Sequence, residues 1–163
     1  MTNADPDIPR TAAPPQPCLL IATAFDRRQL TQLRHSASAC AHAAGLRGQR
    51  LNDFVLAVNE LTTNAVRHGG GRGSLRMWRQ AESLVCEVSD QGDGISSRPL
   101  GNHRRPAPET VGGWGLWLVR ELSDTMDVTS DRGGTVVRIT TILPVPHPPT
   151  TSQGRDGFSR RAR

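Results

Sequence analysis

The stretch from Gln49 to His68 constrains the fold more than any other, because it runs twenty residues without a proline or glycine and then meets Gly69, Gly70 and Gly71. At about 100° per residue, Leu51, Phe54, Val55, Val58, Leu61, Thr62, Ala65 and Val66 fall on one side. That spacing predicts an amphipathic helix which must lie on another layer. On the opposite side Glu60, Asn64 and His68 succeed one another at i, i+4 intervals and are expected to stack along one line.

The flanking segments supply the layer. The apolar run Cys18 to Phe25 reads as an edge strand, and Asp26 is a good N-cap for a helix reaching Ala44 before Gly45. Ser74 to Gln80 and Ser83 to Ser89 read as strands joined by a tight Ala81-Glu82 turn. The stretch from Asp90 to Gly113 is loop-like. A helix is expected from Trp114 to Ser123, then a hairpin of Met126 to Ser130 and Thr135 to Leu143 around Asp131-Arg132-Gly133-Gly134. Clustered strands with helices on one face predict an α/β two-layer sandwich with a mixed, mainly antiparallel sheet. The folded domain is expected over 18–143, with residues 1–17 and the Pro/Arg-rich residues 144–163 as disordered tails.

Composition removes several possibilities. All 20 cationic side chains are arginine; the chain has no lysine. A Walker loop and a eukaryotic-type kinase strand each need a lysine on the phosphates, so nucleotide chemistry here needs another route. The net charge is +5, but Arg155, Arg160, Arg161 and Arg163 against Asp156 place +3 of it in the last nine residues. With no basic stripe interleaved with aromatics elsewhere, no direct nucleic-acid contact is expected. Cys18, Cys40 and Cys86 show neither disulfide-framework nor metal-ligand spacing. No apolar run approaches the roughly 20 residues of a membrane span. The first seventeen residues lack a basic start and an apolar centre, so a cytoplasmic location without membrane contact is expected.

Three elements carry chemistry. A carboxylate and a carboxamide one helical turn apart, Glu60 and Asn64, suit a general base beside a magnesium ligand. A surface helix shows such residues on its wet side in any case, so the pair gains meaning only in company with two glycine-rich loops. Asp90-Gln91-Gly92-Asp93-Gly94 comes directly after a strand. Its first carboxylate suits an amino-group donor, and its glycines allow a flat ring to approach the backbone, although a simple turn reads the same way. Gly112-Gly113-Trp114-Gly115-Leu116 opens a helix whose free N–H groups form an anion site, or only a cap.

Taken together, Glu60-x-x-x-Asn64, Asp90-x-Gly92-x-Gly94, Gly113-x-Gly115-Leu116 and Gly134-Thr135 resemble the N box, the two G boxes and the terminal Gly-Thr of the gyrase/histidine-kinase ATPase superfamily, the Bergerat fold. The segment Leu56 to Gly69 is especially similar to anti-sigma regulatory factors with serine/threonine kinase activity. The resemblance implies ATP and Mg²⁺ as cofactors. Glu60 would be the catalytic base and Asn64 the magnesium ligand. Asp90, with Gly92 and Gly94 beside it, would hold adenine, with Thr135 nearby. Gly113, Gly115 and Leu116 would form the phosphate turn, and Arg67 would stand close to phosphate. Arg104 and Arg105 would lie in the ATP lid. The implied function is sequestration of a sigma factor and phosphorylation of a serine on an anti-anti-sigma antagonist, by a homodimer. The alternative is an ATP-dependent partner switch without kinase activity. Trp114 departs from the small or polar residue usual at its position.

Overall fold

The computed structural model describes residues 16–94 and 114–145. Strand β1 (Cys18–Asp26) leads into a short 3-10 turn (Arg27–Gln29), α1 (Leu30–Ala44) and α2 (Gly48–His68). Strands β2 (Arg72–Gln80) and β3 (Ser83–Asp90) come next, then α3 (Trp114–Leu122), β4 (Thr125–Asp131) and β5 (Gly134–Ile142). The expected elements are all present, with no end moved by more than three residues.

Local chemistry explains the boundaries. Asp26 closes a capping box: its carboxylate accepts the Arg28 N–H at 2.8 Å, and the Gln29 side chain accepts the Asp26 N–H at 2.9 Å. Gly45 ends α1 in the left-handed region, at φ 116°.

The five strands lie in the order β1-β2-β3-β5-β4, and all four ladders are antiparallel. The three helices cover one face. Residues alternate along each strand, so Leu75, Met77, Leu84, Cys86, Val137 and Ile139 meet the helices in the core. The opposite face carries Arg76, Trp78, Glu87 and Arg138, the Arg138 guanidinium pairing with Glu87 at 2.6 Å and lying over the Trp78 ring. Among the described residues the cysteines are free, and burial pushes the Cys86 thiol far above its ordinary range. None of the described helices is long and apolar enough to cross a membrane. The expected tails lie almost wholly outside the described residues.

Helix α2 is the spine of the helical layer. Phe54, Val58, Leu61, Thr62 and Ala65 are buried as the periodicity predicts, and Ala57 joins them. Leu51 and Val66 are only partly covered. The other side of α2 is not an open wet face, however. Helix α3 packs along it, and Glu60 and Asn64 are half-buried, leaving His68 exposed.

An ion pair fixes the far end of α3. Arg50, early in α2, forks onto Asp124 in the α3–β4 connection, with its Nη1 donating to Oδ1 at 3.2 Å. Asp124 also accepts the Ile142 N–H at 2.7 Å. The Arg50 hydrogen bond, opposed by burial and aided by the Ile142 amide, holds the Asp124 carboxyl below the usual carboxylate range. A depressed carboxylate contributes stability that is complete above its unfolded value, about 3.9, and is lost as pH falls through the folded one. Both partners are partly solvated, so screening limits the effect. Asp124→Ala is expected to cost about 0.5–1 kcal/mol at pH 7. That difference from wild type should shrink below about pH 4, as read by thermal melts across pH.

Candidate functional site

Asp90 ends β3 on the helix-facing side of the sheet. Its Oδ1 accepts two backbone N–H groups, from Gly92 at 3.0 Å and from Thr135 at 3.2 Å. These bonds fix the carboxylate's orientation. Oδ2 has no hydrogen-bond partner among the described residues and is the acceptor left for a ligand.

The surroundings press close to this carboxylate. Gly69, just past the end of α2, lies directly against the Asp90 side chain, and Gly92 lies against the His68 carbonyl. Gly94 packs on the Asp131 carbonyl at the tip of the β4–β5 hairpin. Gly134 sits at φ 132°, and a Cβ there would fall 2.0 Å from the Asp90 carbonyl oxygen. Only a glycine lets β5 begin this close to the end of β3. Thr135 is next along the strand, buried, with its N–H on Asp90 and its hydroxyl 3.0 Å from the Ser130 hydroxyl.

The second cluster lies at the start of α3. A Cβ on Gly115 would stand 2.9 Å from Asn64 Nδ2 and 3.2 Å from Glu60 Oε2. The helix opening therefore abuts the N-box pair directly, and the missing side chain is what permits the approach. From Glu60 to Gly69 the helix rises about 13.5 Å. One elongated molecule spanning that distance meets a carboxylate acceptor at one end and a carboxylate–carboxamide pair at the other.

The remaining expected residues divide. Leu116 is half-buried on α3 and packs against the core. Arg67 is exposed and lines a separate cleft with Arg27, Leu30, Thr63 and Gly71, at the junction of α1 and α2. On the helix it stands about 60° round from Asn64, in the same direction as Thr63. Gly113, Arg104 and Arg105 lie outside the described residues. Trp114 and Trp117 form an edge-to-face pair with ring centroids 5.7 Å apart. With i, i+3 spacing both stand well round the helix from Gly115, so the bulk of Trp114 is directed away from the contact with Asn64.

Glu60, Asn64 and Asp90 have the side-chain chemistry that a magnesium nucleotide would need. Among the described residues no three His, Cys, Asp or Glu side chains converge. The Asn64 amide oxygen suits an ion which takes oxygen ligands and shares them with substrate phosphates.

Ser130 is a site neighbour that sequence reasoning missed. Its placement opposite Thr135 follows from the register of the β4–β5 hairpin.

A family model described as the histidine kinase-like ATPase domain matches residues 23–141. The serine-protein kinase RsbW of Bacillus licheniformis is 32% identical over 117 residues, which cover 64% of this chain and 73% of the relative. The serine-protein kinase RsbW of Bacillus velezensis is 32% identical over 118 residues, covering 64% and 72%. Among solved structures, the RsbU and RsbW domains of a Mycobacterium tuberculosis protein superpose with a TM-score of 0.57 at 19% identity, over 82% of this chain. The chain spans 34% of that longer protein, and this likeness shows the fold.

Proposed function

Because the chain belongs to the histidine kinase-like ATPase domain family, we propose that it binds ATP with Mg²⁺ between Asp90 and Gly115 and transfers the γ-phosphoryl group to a serine of a protein antagonist. The relatives' description as serine-protein kinases supports the choice of acceptor. The observation that carries the reading is the approach of Gly115 to both Glu60 and Asn64, with Asp90 presenting an available oxygen at the other end of the same helix.

In this reading Asp90 Oδ2 accepts a hydrogen bond from the adenine amino group, and the glycines beside it admit the ring. Asn64 supplies an amide oxygen toward the cation, which neutralises phosphate charge when bound. Glu60 takes the proton of the acceptor serine as its oxygen bonds to the γ-phosphorus and the β–γ bridge breaks, leaving ADP. Gly113 and Leu116 are proposed to complete the phosphate end, while Arg67 lies in the separate cleft at the junction of α1 and α2.

The unphosphorylated antagonist and a sigma factor are proposed to compete for the same molecule, with sigma sequestered when the antagonist is modified. The pairing surface for a homodimer is proposed to be the free edge of β1 with α1. A groove of about 630 Å³ runs there between Leu20, Ile21, Phe25 and Leu33, and Leu19 is 56% exposed beside it.

Titration with ATP and magnesium tests the reading. Asp90→Asn is expected to weaken ATP roughly tenfold or more, the range of a charged hydrogen bond. Asn64→Ala should flatten the magnesium dependence. Wild-type affinity and magnesium dependence in both variants would remove the pocket, and γ-labelled ATP that leaves no covalent phosphate on the antagonist would remove the kinase.

A further inference from the structure

The corner where α1 begins and α2 ends holds a cleft of about 490 Å³, walled by Arg27, Leu30, Thr63, Val66, Arg67 and Gly71. Leu30 opens α1, while Thr63, Val66 and Arg67 share one side of α2 at i, i+3 and i+4. Gly71 bounds the corner at φ 84°, with open space where a side chain would stand.

Its two kinds of wall differ in chemistry. Leu30 and Val66 pack against the core yet are only partly buried, so each leaves apolar surface uncovered. Arg27 and Arg67 are exposed, and among the described residues neither guanidinium has an ion pair or a hydrogen bond. Elsewhere Arg50, Arg76 and Arg138 each stand against a carboxylate. No carboxylate lines this cleft. Asp26, the nearest in sequence, has its Oδ1 occupied by the Arg28 N–H. Arg28 follows Arg27 and Arg72 follows Gly71, so the neighbouring residues add charge of the same sign.

We propose that this cleft docks an acidic segment of a partner protein, which seats one apolar side chain on Leu30 and Val66 and sets carboxylates on Arg27 and Arg67. The inference goes beyond the nucleotide site and does not require it. Thr63 is next to Asn64 in sequence but about 100° away around α2, so a docked segment lies on a different side of the helix from the position proposed for the cation.

A guanidinium presents a planar fork of donors that matches a carboxylate. Since neither arginine is engaged, a partner's carboxylates form their pairs without first breaking others. Exposed ion pairs contribute little alone. An apolar side chain seated between them adds buried area and draws the pairs partly out of water, where they strengthen. A neutral segment would leave both charges without partners, and a basic one would be repelled. Charge complementarity therefore selects the acidic segment, and its attraction weakens as salt rises.

Three fluorescein-labelled decapeptides are the probes: one leucine flanked by glutamates, the same peptide with serine for leucine, and one leucine flanked by lysines. Binding to the full chain is read by fluorescence anisotropy. The first should bind with a Kd of about 0.1–1 mM, weakening roughly tenfold between about 0.05 and 0.5 M salt. The serine peptide should bind about fivefold more weakly, and the lysine peptide should not bind. Arg27→Glu and Arg67→Glu should each weaken the first peptide about tenfold or more. Should either reversal misfold, Arg27→Gln and Arg67→Gln remove the charge alone. Arg132→Glu, on the exposed β4–β5 turn, makes the same change in net charge and should leave binding as it is.

Equal binding of the acidic and basic peptides overturns the inference, as does no binding of the acidic one at about 5 mM. An Arg132→Glu effect as large as that of Arg27→Glu overturns it too, since net charge alone then explains the binding. Displacement of the acidic peptide by ATP with magnesium would assign Arg67 to the phosphates and overturn it as well. ATP affinity is measured in parallel: a wild type that takes the acidic peptide but not ATP loses the nucleotide reading and keeps this one.

Discussion

Replacing Glu60 by glutamine is expected to lower phosphoryl transfer by about 10²–10⁴-fold, the usual contribution of a positioned base, while ATP affinity stays within about threefold of wild type. Glutamine keeps the length and shape of glutamate, so the contact with Gly115 survives. What disappears is the capacity to take a proton. The side chain is half-buried on α2, close to Asn64 and the opening of α3, the place where the proposed transfer needs its base. The measurement is single-turnover transfer of labelled γ-phosphate to the antagonist, alongside calorimetric ATP binding. Transfer near the wild-type rate in a variant that binds ATP normally would remove Glu60 from the chemistry. A parallel fall in binding and transfer would instead make it a ligand-positioning group.

A second large effect is expected far from the transferred phosphate. Gly134→Ala should destabilise the protein by about 3 kcal/mol or more, because strain and overpacking add at one atom. Its Cβ would fall 2.0 Å from the Asp90 backbone carbonyl, and the φ of 132° is one that side-chain-bearing residues rarely adopt. The neighbour is backbone, so no rotamer change relieves the clash. The ladder between β3 and β5 has to open at its functional end. At about 4 °C per kcal/mol for a domain of this size, the melting temperature should drop by roughly 12 °C. ATP binding should fall with it, since the Thr135 N–H bond to Asp90 is the next one along. Gly133→Ala is the control, because a Cβ there meets only the Asp131 carboxylate, at 3.1 Å, on an exposed turn. A Gly134→Ala melt within about 2 °C of wild type would show that the strand ends move freely.

Much of the fold is readable because its signals are local. The period of Gln49–His68, the capping chemistry of Asp26 and the turn Ala81-Glu82 each depend on residues close in sequence. The N-box pair and Asp90 are readable for a different reason, since those spacings resemble a known family. Other features escape for equally physical reasons. Ala57 is buried because α2 lies between α1 and α3, which widens the covered arc beyond one stripe. The Arg50–Asp124 pair joins positions 74 residues apart, and nothing at either residue announces the other. Ser130 finds its partner only once the hairpin register is set.

By itself the chain determined which segments become helices and strands, and which residue types were on hand for chemistry. Periodicity, caps and turn residues are near-neighbour effects, and a near-neighbour effect is written into the order of the residues. The tertiary structure alone decided that a face meant for water is instead roofed by α3, that Gly115 comes to rest on Glu60 and Asn64, and that three strand ends line up as Asp90, Thr135 and Ser130. Those meetings arise from how layers pack and how strands register, and both are settled by burying apolar surface across the entire domain.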